Sequence, residues 1–184
     1  MPVKPDAWIT KMAQRHQMIT PFEPTQVRHG ISYGVSSYGY DISLSDRFKV
    51  LRTEGLTELD PKADTAALFE DVTAESIVIP ANSFILAQTR EYFRIPRDIL
   101  TICEGKSTYA RVGVVVNVTP FEPEWEGHAT LSLANSSPLP VRVYAHEGIA
   151  QLIFLEASEP CRQSYKDKKG KYQGQQEITL AKSG

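Results

Sequence analysis

Cysteine is almost absent: Cys103 and Cys161 are the only two in 184 residues, too few for a disulfide framework, and a reducing cytoplasm is expected. Neither has a Cys or His partner at metal-ligand spacing, so no protein-held zinc is expected. No run approaches the roughly 20 apolar residues needed to span a bilayer, and Met1 to Ile9 lacks the apolar stretch of a signal peptide. No membrane partner is therefore expected. A basic excess is missing too. The formal net charge of −2 argues against a broad nucleic-acid surface, so any polyanion must be met by a local cluster.

Several catalytic signatures are also lacking. There is no H-x-E paired with P-C-x-x-C, which removes zinc-dependent deaminases. His146-Glu147 has no second His at zincin spacing, and neither G-x-G-x-x-G nor G-x-S-x-G occurs. Gly105-Lys106-Ser107 ends as a Walker A loop ends, without the glycine that opens one. His16, His29, His128 and His146 are isolated from one another and are expected as solvated or hydrogen-bonded imidazoles.

What remains is an ordinary globular composition, 41% hydrophobic and 23% charged, enough for one well-cored domain over residues 1–184. One helix is expected near the start, capped by Asp6, with Trp8, Ile9, Met12 and Ala13 at helical spacing and Pro21 ending the pattern. The period then changes to two. Ser76–Ile79, Phe84–Ala87, Val112–Val118, Leu131–Leu133, Val141–Tyr144 and Ile149–Leu155 read as short strands between Pro, Gly and Asn signals. Residues 53–75 are polar and read as a long surface connection. With no periodic helix between the strands, the fold class is mainly β, a barrel or sandwich rather than βαβ units.

Two stretches carry candidate chemistry. Gly105 to Arg111 combines the cations Lys106 and Arg111 with the hydroxyls of Ser107 and Thr108, and Gly105 lets backbone approach a ligand closely. That set suits a triphosphate. The tail from Arg162 to Gln176 holds Arg162, Lys166, Lys168, Lys169 and Lys171 against Asp167 alone, with Gly170 and Gly174 interspersed. Such a tail is either a solvated end or a lid that closes over phosphate.

Five motifs then appear in order: Ser36-Ser37-Tyr38-Gly39-Tyr40-Asp41, Gly105 to Arg111, Asn117-Val118-Thr119-Pro120, Trp125-Glu126-Gly127, and Gly170-Lys171-Tyr172-Gln173-Gly174-Gln175. Together they resemble bacterial dCTP deaminases of the trimeric dCTP deaminase/dUTPase superfamily, from about Trp8 to Leu180. The resemblance implies a distorted jelly-roll-type β-barrel with a short N-terminal helix, and a homotrimer with sites at subunit interfaces. It implies a deoxynucleoside triphosphate substrate, dCTP first, with dUTP and dTTP as further ligands, and Mg²⁺ bound with the triphosphate rather than by the protein.

By matching position, Lys106, Ser107, Thr108 and Arg111 would lie against the phosphates and the reacting centre. Val118 and Thr119 would present backbone to the base, and Glu122 would lie near the sugar and the neighbouring subunit. Tyr165, Lys171 and Gln175 would hold the triphosphate from residues 162–184, which act as the lid. One position departs from the family. The strand after Trp-x-Gly normally carries a glutamate in text such as T-L-E-F-x-N, and here it reads Thr130-Leu131-Ser132-Leu133-Ala134-Asn135. Alternation puts Ser132 on the face of His128 and Thr130. A carboxylate can shuttle protons near neutral pH, and an unassisted serine cannot. Glu104, at a position commonly apolar in the family, is a candidate substitute shuttle, with Glu122 or a rearranged water as the alternatives. A dUTPase-type pyrophosphatase, or a nucleotide-binding trimer without catalysis, is the alternative.

Overall fold

The computed structural model describes residues 2–182. An amphipathic helix α1 (Asp6–His16) comes first and buries Ile9 and Ala13 against the barrel. Pro5, not Asp6, is its N-cap residue, and no side chain caps it; the Asp6 carboxylate instead accepts from the Ala7 amide. The helix stops before Pro21, at Gln17, which adopts a left-handed φ of 52°.

Strands follow in close succession: β1 (Ile19–Thr20), β2 (Gly34–Ser36), β3 (Gly39–Leu51), β4 (Phe69–Thr73), β5 (Ser76–Ile79) and β6 (Phe84–Arg94). After β7 (Ile99–Gly105) a single turn of helix, α2 (Ser107–Ala110), leads to β8 (Val114–Asn117), β9 (Glu126–Asn135), β10 (Val141–Tyr144) and β11 (Gly148–Glu156). The expected strands at 76–79 and 141–144 have those bounds, whereas β6, β9 and β11 extend beyond the apolar runs that reveal them. The connection expected over 53–75 is shorter, because a 3₁₀ turn at Ala66–Leu68 and strand β4 occupy its second half.

The pairing is antiparallel and runs β7-β11-β3-β6-β9-β8, with β1 on β6, β2 and β4 on β3, and β10-β5 as a separate ribbon. Strand β3 is the seam. Its first half pairs with β2 and β11, and its second half pairs with β4 and β6. A strand shared by two halves of a curled sheet gives the distorted jelly-roll-type barrel that the sequence implied. The pairing of β6 slips against β3 between Ala87 and Thr89 and against β9 between Gln88 and Tyr92, irregularities of the kind that bend a strand.

Strand β9 shows how the site face is set. Leu131 and Leu133 are fully buried, each contributing about 2 kcal/mol of apolar burial, so alternation forces His128, Thr130 and Ser132 to the opposite face.

Candidate functional site

A cavity of about 210 Å³ opens beside β9. One wall is the connection from β8 to β9, with Val118, Thr119, Glu122 and Trp125; the floor carries Thr130; the tail closes it with Tyr165, Tyr172, Gln175 and Thr179. The tail is stitched down by specific hydrogen bonds. Gln175 donates through Nε2 to Thr130 Oγ1 at 2.7 Å, and the Thr179 amide donates to the same oxygen at 3.1 Å. Trp125 Nε1 donates to the Tyr172 carbonyl at 2.8 Å, and the His128 amide donates to the Gln175 carbonyl at 2.9 Å.

Two glycines make this closeness possible. Gly127 has φ +147°, and a Cβ there would sit 2.8 Å from the Gln175 nitrogen. At Gly170 a Cβ would strike the Tyr165 ring at 2.2 Å. Gly127 thus lets the tail lie against β9, and Gly170 lets the tail fold onto its own Tyr165. Tyr165 is fixed further by its own Oη, which accepts from the Tyr172 amide at 3.1 Å.

Of the residues singled out from sequence, Val118, Thr119, Glu122, Tyr165 and Gln175 line this cavity. Glu122 is half-exposed and accepts from Lys168 at 2.6 Å, an ion pair that raises the lysine's pKa. Lys171 is exposed at the edge and donates to the Lys182 carbonyl at 2.8 Å. Met1, Ser183 and Gly184, included in the expected domain and lid, lie outside the described residues.

The second group does not line the cavity of its own chain. Ser107 and Thr108 are exposed on α2, and Arg111 follows it, also exposed, donating to the Ser107 carbonyl at 2.8 Å. Lys106 points the other way. Its ammonium is largely buried and donates to Asp41 at 2.5 Å and to Ser32 Oγ at 3.2 Å. Asp41 also accepts from Gln26 and Gln151, so this lysine's charge is committed to a buried network. Glu104 is exposed on β7, opposite Gln151, and its carboxylate makes no hydrogen bond or ion pair among the described residues. Its charge, after burial, helps push the neighbouring Cys103 thiol up to about 12.

Ser132 lies half-buried on the outward face of β9, with Leu86 and Asn117 as its cross-strand partners. Neither can exchange a proton near neutral pH. The imidazole of His128, two pairs of residues along the same face, contacts the Thr89 and Glu91 carbonyls through Nδ1 at 3.1 Å and meets Tyr92 edge-on. No three His, Cys, Asp or Glu side chains gather to hold a metal ion among the described residues.

Sequence reasoning missed Thr130, whose hydroxyl receives the tail, and Arg97, which anchors the tail's start. Thr130 sits in the strand text already singled out, two residues from Ser132 on the same face. Arg97 carries no local signal, because its partners lie 27 to 70 residues away.

Comparison with known proteins bears on the family and the fold. A family model described as dCTP deaminase-like matches residues 3–157. A dCTP deaminase of Thioalkalivibrio sulfidiphilus is 57% identical over 188 aligned positions, covering 100% of both chains. One from Methylococcus capsulatus is 56% identical, again over 100% of both. Among solved structures, the 2′-deoxycytidine 5′-triphosphate deaminase of Agrobacterium tumefaciens superposes with a TM-score of 0.62 at 15% identity. That match covers 83% of this chain and 47% of the other, so this chain spans about half of that protein, and the likeness is one of fold.

Proposed function

The chain belongs to the dCTP deaminase-like family, and from that premise we propose that it hydrolyses dCTP to dUTP and ammonia in deoxypyrimidine nucleotide metabolism. It works without zinc, in the cytoplasm, as a homotrimer whose sites are completed between copies. The observation that carries this reading is the cavity beside β9, where Val118, Thr119, Glu122, Tyr165 and Gln175 stand together. Backbone of Val118 and Thr119 meets the base, and the tail covers the phosphates. No helix among the described residues is long and apolar enough to cross a membrane.

Ser107, Thr108 and Arg111 stand exposed and outside that cavity. A neighbouring copy that seats its α2 against the cavity would add their hydroxyls and guanidinium to the phosphate end, giving charge-assisted contacts that Lys171 alone cannot supply. The trimer that the family resemblance implies would give each cavity such a neighbour. Lys106 acts by holding α2 to the barrel through Asp41 rather than by touching phosphate. With no three-ligand cluster among the described residues, Mg²⁺ fits as a companion of the triphosphate, where it would neutralise phosphate charge when bound.

Deamination needs a base to deprotonate water for attack at C4, and an acid to protonate N3 and the departing amine. Ser132, flanked by Leu86 and Asn117, supplies neither on its own. The shuttle falls to Glu104, exposed and unpaired among the described residues, or to Glu122 in the cavity wall. The surroundings of Ser132 favour a second reading, in which the chain binds dCTP with little or no turnover. Deamination lacking its proton shuttle would be slower by about 10²–10⁴-fold.

Incubation with Mg²⁺ and dCTP, or with dUTP, followed by chromatography separates these readings. dUTP from dCTP supports deamination, and its loss in Glu104→Gln would assign the shuttle. Intact dCTP together with conversion of dUTP to dUMP would instead establish pyrophosphatase chemistry. If both nucleotides stay intact and Ser132→Glu produces dUTP, the chain is a binder that lacks only its carboxylate.

A further inference from the structure

We propose that Arg97 is the positioning residue that latches the tail over the nucleotide cavity, a role that rests on the functional reading above only in what the cavity holds. Arg97 lies in the turn between β6 and β7, outside the cavity, and no sequence motif marks it. Its guanidinium gathers four acceptors. Nη1 donates to Glu124 at 2.6 Å; Nη2 donates to Asp167 at 2.8 Å, the Arg162 carbonyl at 3.2 Å and the Cys161 carbonyl at 3.3 Å. Glu124 belongs to the wall that leads into β9, Arg162 and Asp167 belong to the start of the tail, and Cys161 is the residue just before it. One planar fork thus ties the wall and the tail to a turn of the barrel.

The tie reaches the cavity through short steps. Asp167 also accepts from the Ser164 amide at 3.1 Å, and Ser164 Oγ accepts from the Asp167 amide at 3.1 Å, so the turn is closed on itself with Ser164 buried. The next residue is Tyr165, whose amide donates to the Pro123 carbonyl at 2.9 Å and whose ring lines the cavity. On the Glu124 side, its carbonyl accepts from Gln173 Nε2 at 3.0 Å, two residues before Gln175. Both ends of the covering segment are thereby referred to Arg97.

The partners are too exposed for a large share of global stability: Arg97 is 39% exposed, Glu124 31% and Asp167 44%. Position is what the arrangement supplies. A lysine keeps the charge but cannot span two carboxylates and two carbonyls, so Arg97→Lys is expected to fail in part and Arg97→Met more fully.

The test is amide hydrogen exchange of residues 164–175 in the nucleotide-free protein, set beside thermal unfolding and titration with Mg²⁺ and dCTP. In Arg97→Met the tail amides should exchange faster, while core amides of β6 and β9 keep their protection and Tm changes little. If the closed population falls to about a tenth, the apparent Kd for Mg²⁺-dCTP rises about tenfold, and kcat at saturation is unchanged. Wild-type tail exchange in Arg97→Met overturns the proposal; so does a loss of protection spread evenly through tail and core, which marks a merely structural role. Should Arg97→Met not fold, Arg97→Lys decides: intermediate tail exchange supports the latch, and wild-type exchange refutes it. Failure of the unaltered protein to bind Mg²⁺-dCTP would count against the functional reading, and the nucleotide-free exchange result would still decide the latch.

Discussion

The cavity wall and the α2 segment make an instructive pair. Around the cavity nearly every polar group already has a partner: Gln175 and Thr179 on Thr130, Trp125 on the Tyr172 carbonyl, Arg97 on the tail. On α2, Ser107 and Thr108 are exposed, and Arg111 reaches only the Ser107 carbonyl. One region is assembled within a single chain, and the other presents hydroxyls and a cation to whatever approaches. The difference is what the proposed division of a triphosphate site between copies would produce.

The contrast can be broken most sharply at Arg111. Arg111→Ala should weaken Mg²⁺-dCTP binding, and with it turnover below saturation, by about 10²–10³-fold, the order of cost of removing one partner of a charge-assisted contact. Unfolding in urea should stay within about 0.5 kcal/mol of the parent, because the side chain is exposed. A matching loss of stability would mean that α2 is a structural element and not a waiting half-site.

Asp41 should behave in the opposite way. Asp41→Ala leaves the Lys106 ammonium without its carboxylate in a largely buried place, and urea unfolding should show a loss of about 3 kcal/mol. Lys106→Met added to Asp41→Ala should recover most of that loss. If Asp41→Ala proves neutral, Lys106 is free to serve phosphate directly.

A third measurement concerns Glu91, buried on β6, where loss of solvent pushes its carboxyl up to about 7 against the opposing hydrogen bonds from Ser43. The native state therefore holds a proton that the unfolded chain releases near the ordinary value of 4.5. More protons bound in the native state means that stability falls as pH rises from about 4.5 to about 7, by about 3 kcal/mol, and is flat above. Urea unfolding across that range should show the slope, and Glu91→Gln should remove it. A slope that persists in Glu91→Gln would assign the effect to another group.

The smallest effect is expected at Gly127. An added methyl there collides with Gln175 and strains a φ of +147°, so Gly127→Ala should loosen the tail and weaken Mg²⁺-dCTP binding about tenfold. Isothermal titration would read it. Unchanged affinity would mean that the tail's seat on β9 contributes nothing to nucleotide binding.

How much was legible beforehand depends on where polar residues are buried. Val141–Tyr144 alternates and Ser76–Ile79 is an apolar run that Pro80 ends, and both are legible with their observed bounds. The longest strand, β3, is not, because Asp41, Ser43, Ser45 and Asp46 interrupt its apolar pattern. Asp41 and Ser43 are nevertheless buried, because Lys106 and Glu91 satisfy them from 65 and 48 residues away. No local window contains those partners. The same distance hides Arg97 and commits Lys106 elsewhere. By contrast, the outward face of β9 was readable, since Leu131 and Leu133 fix Ser132 by alternation alone.

The central claim, a nucleotide site divided between copies, is tested most directly by complementation. Arg111→Ala removes the α2 half of the site, and Thr130→Trp fills the cavity half; each variant alone should bind almost no Mg²⁺-dCTP. Co-expressed and purified as mixed trimers, the two should regain binding, because intact Arg111 of one copy can face an intact cavity of another. Mixed trimers that bind no better than either variant alone would contradict the divided site.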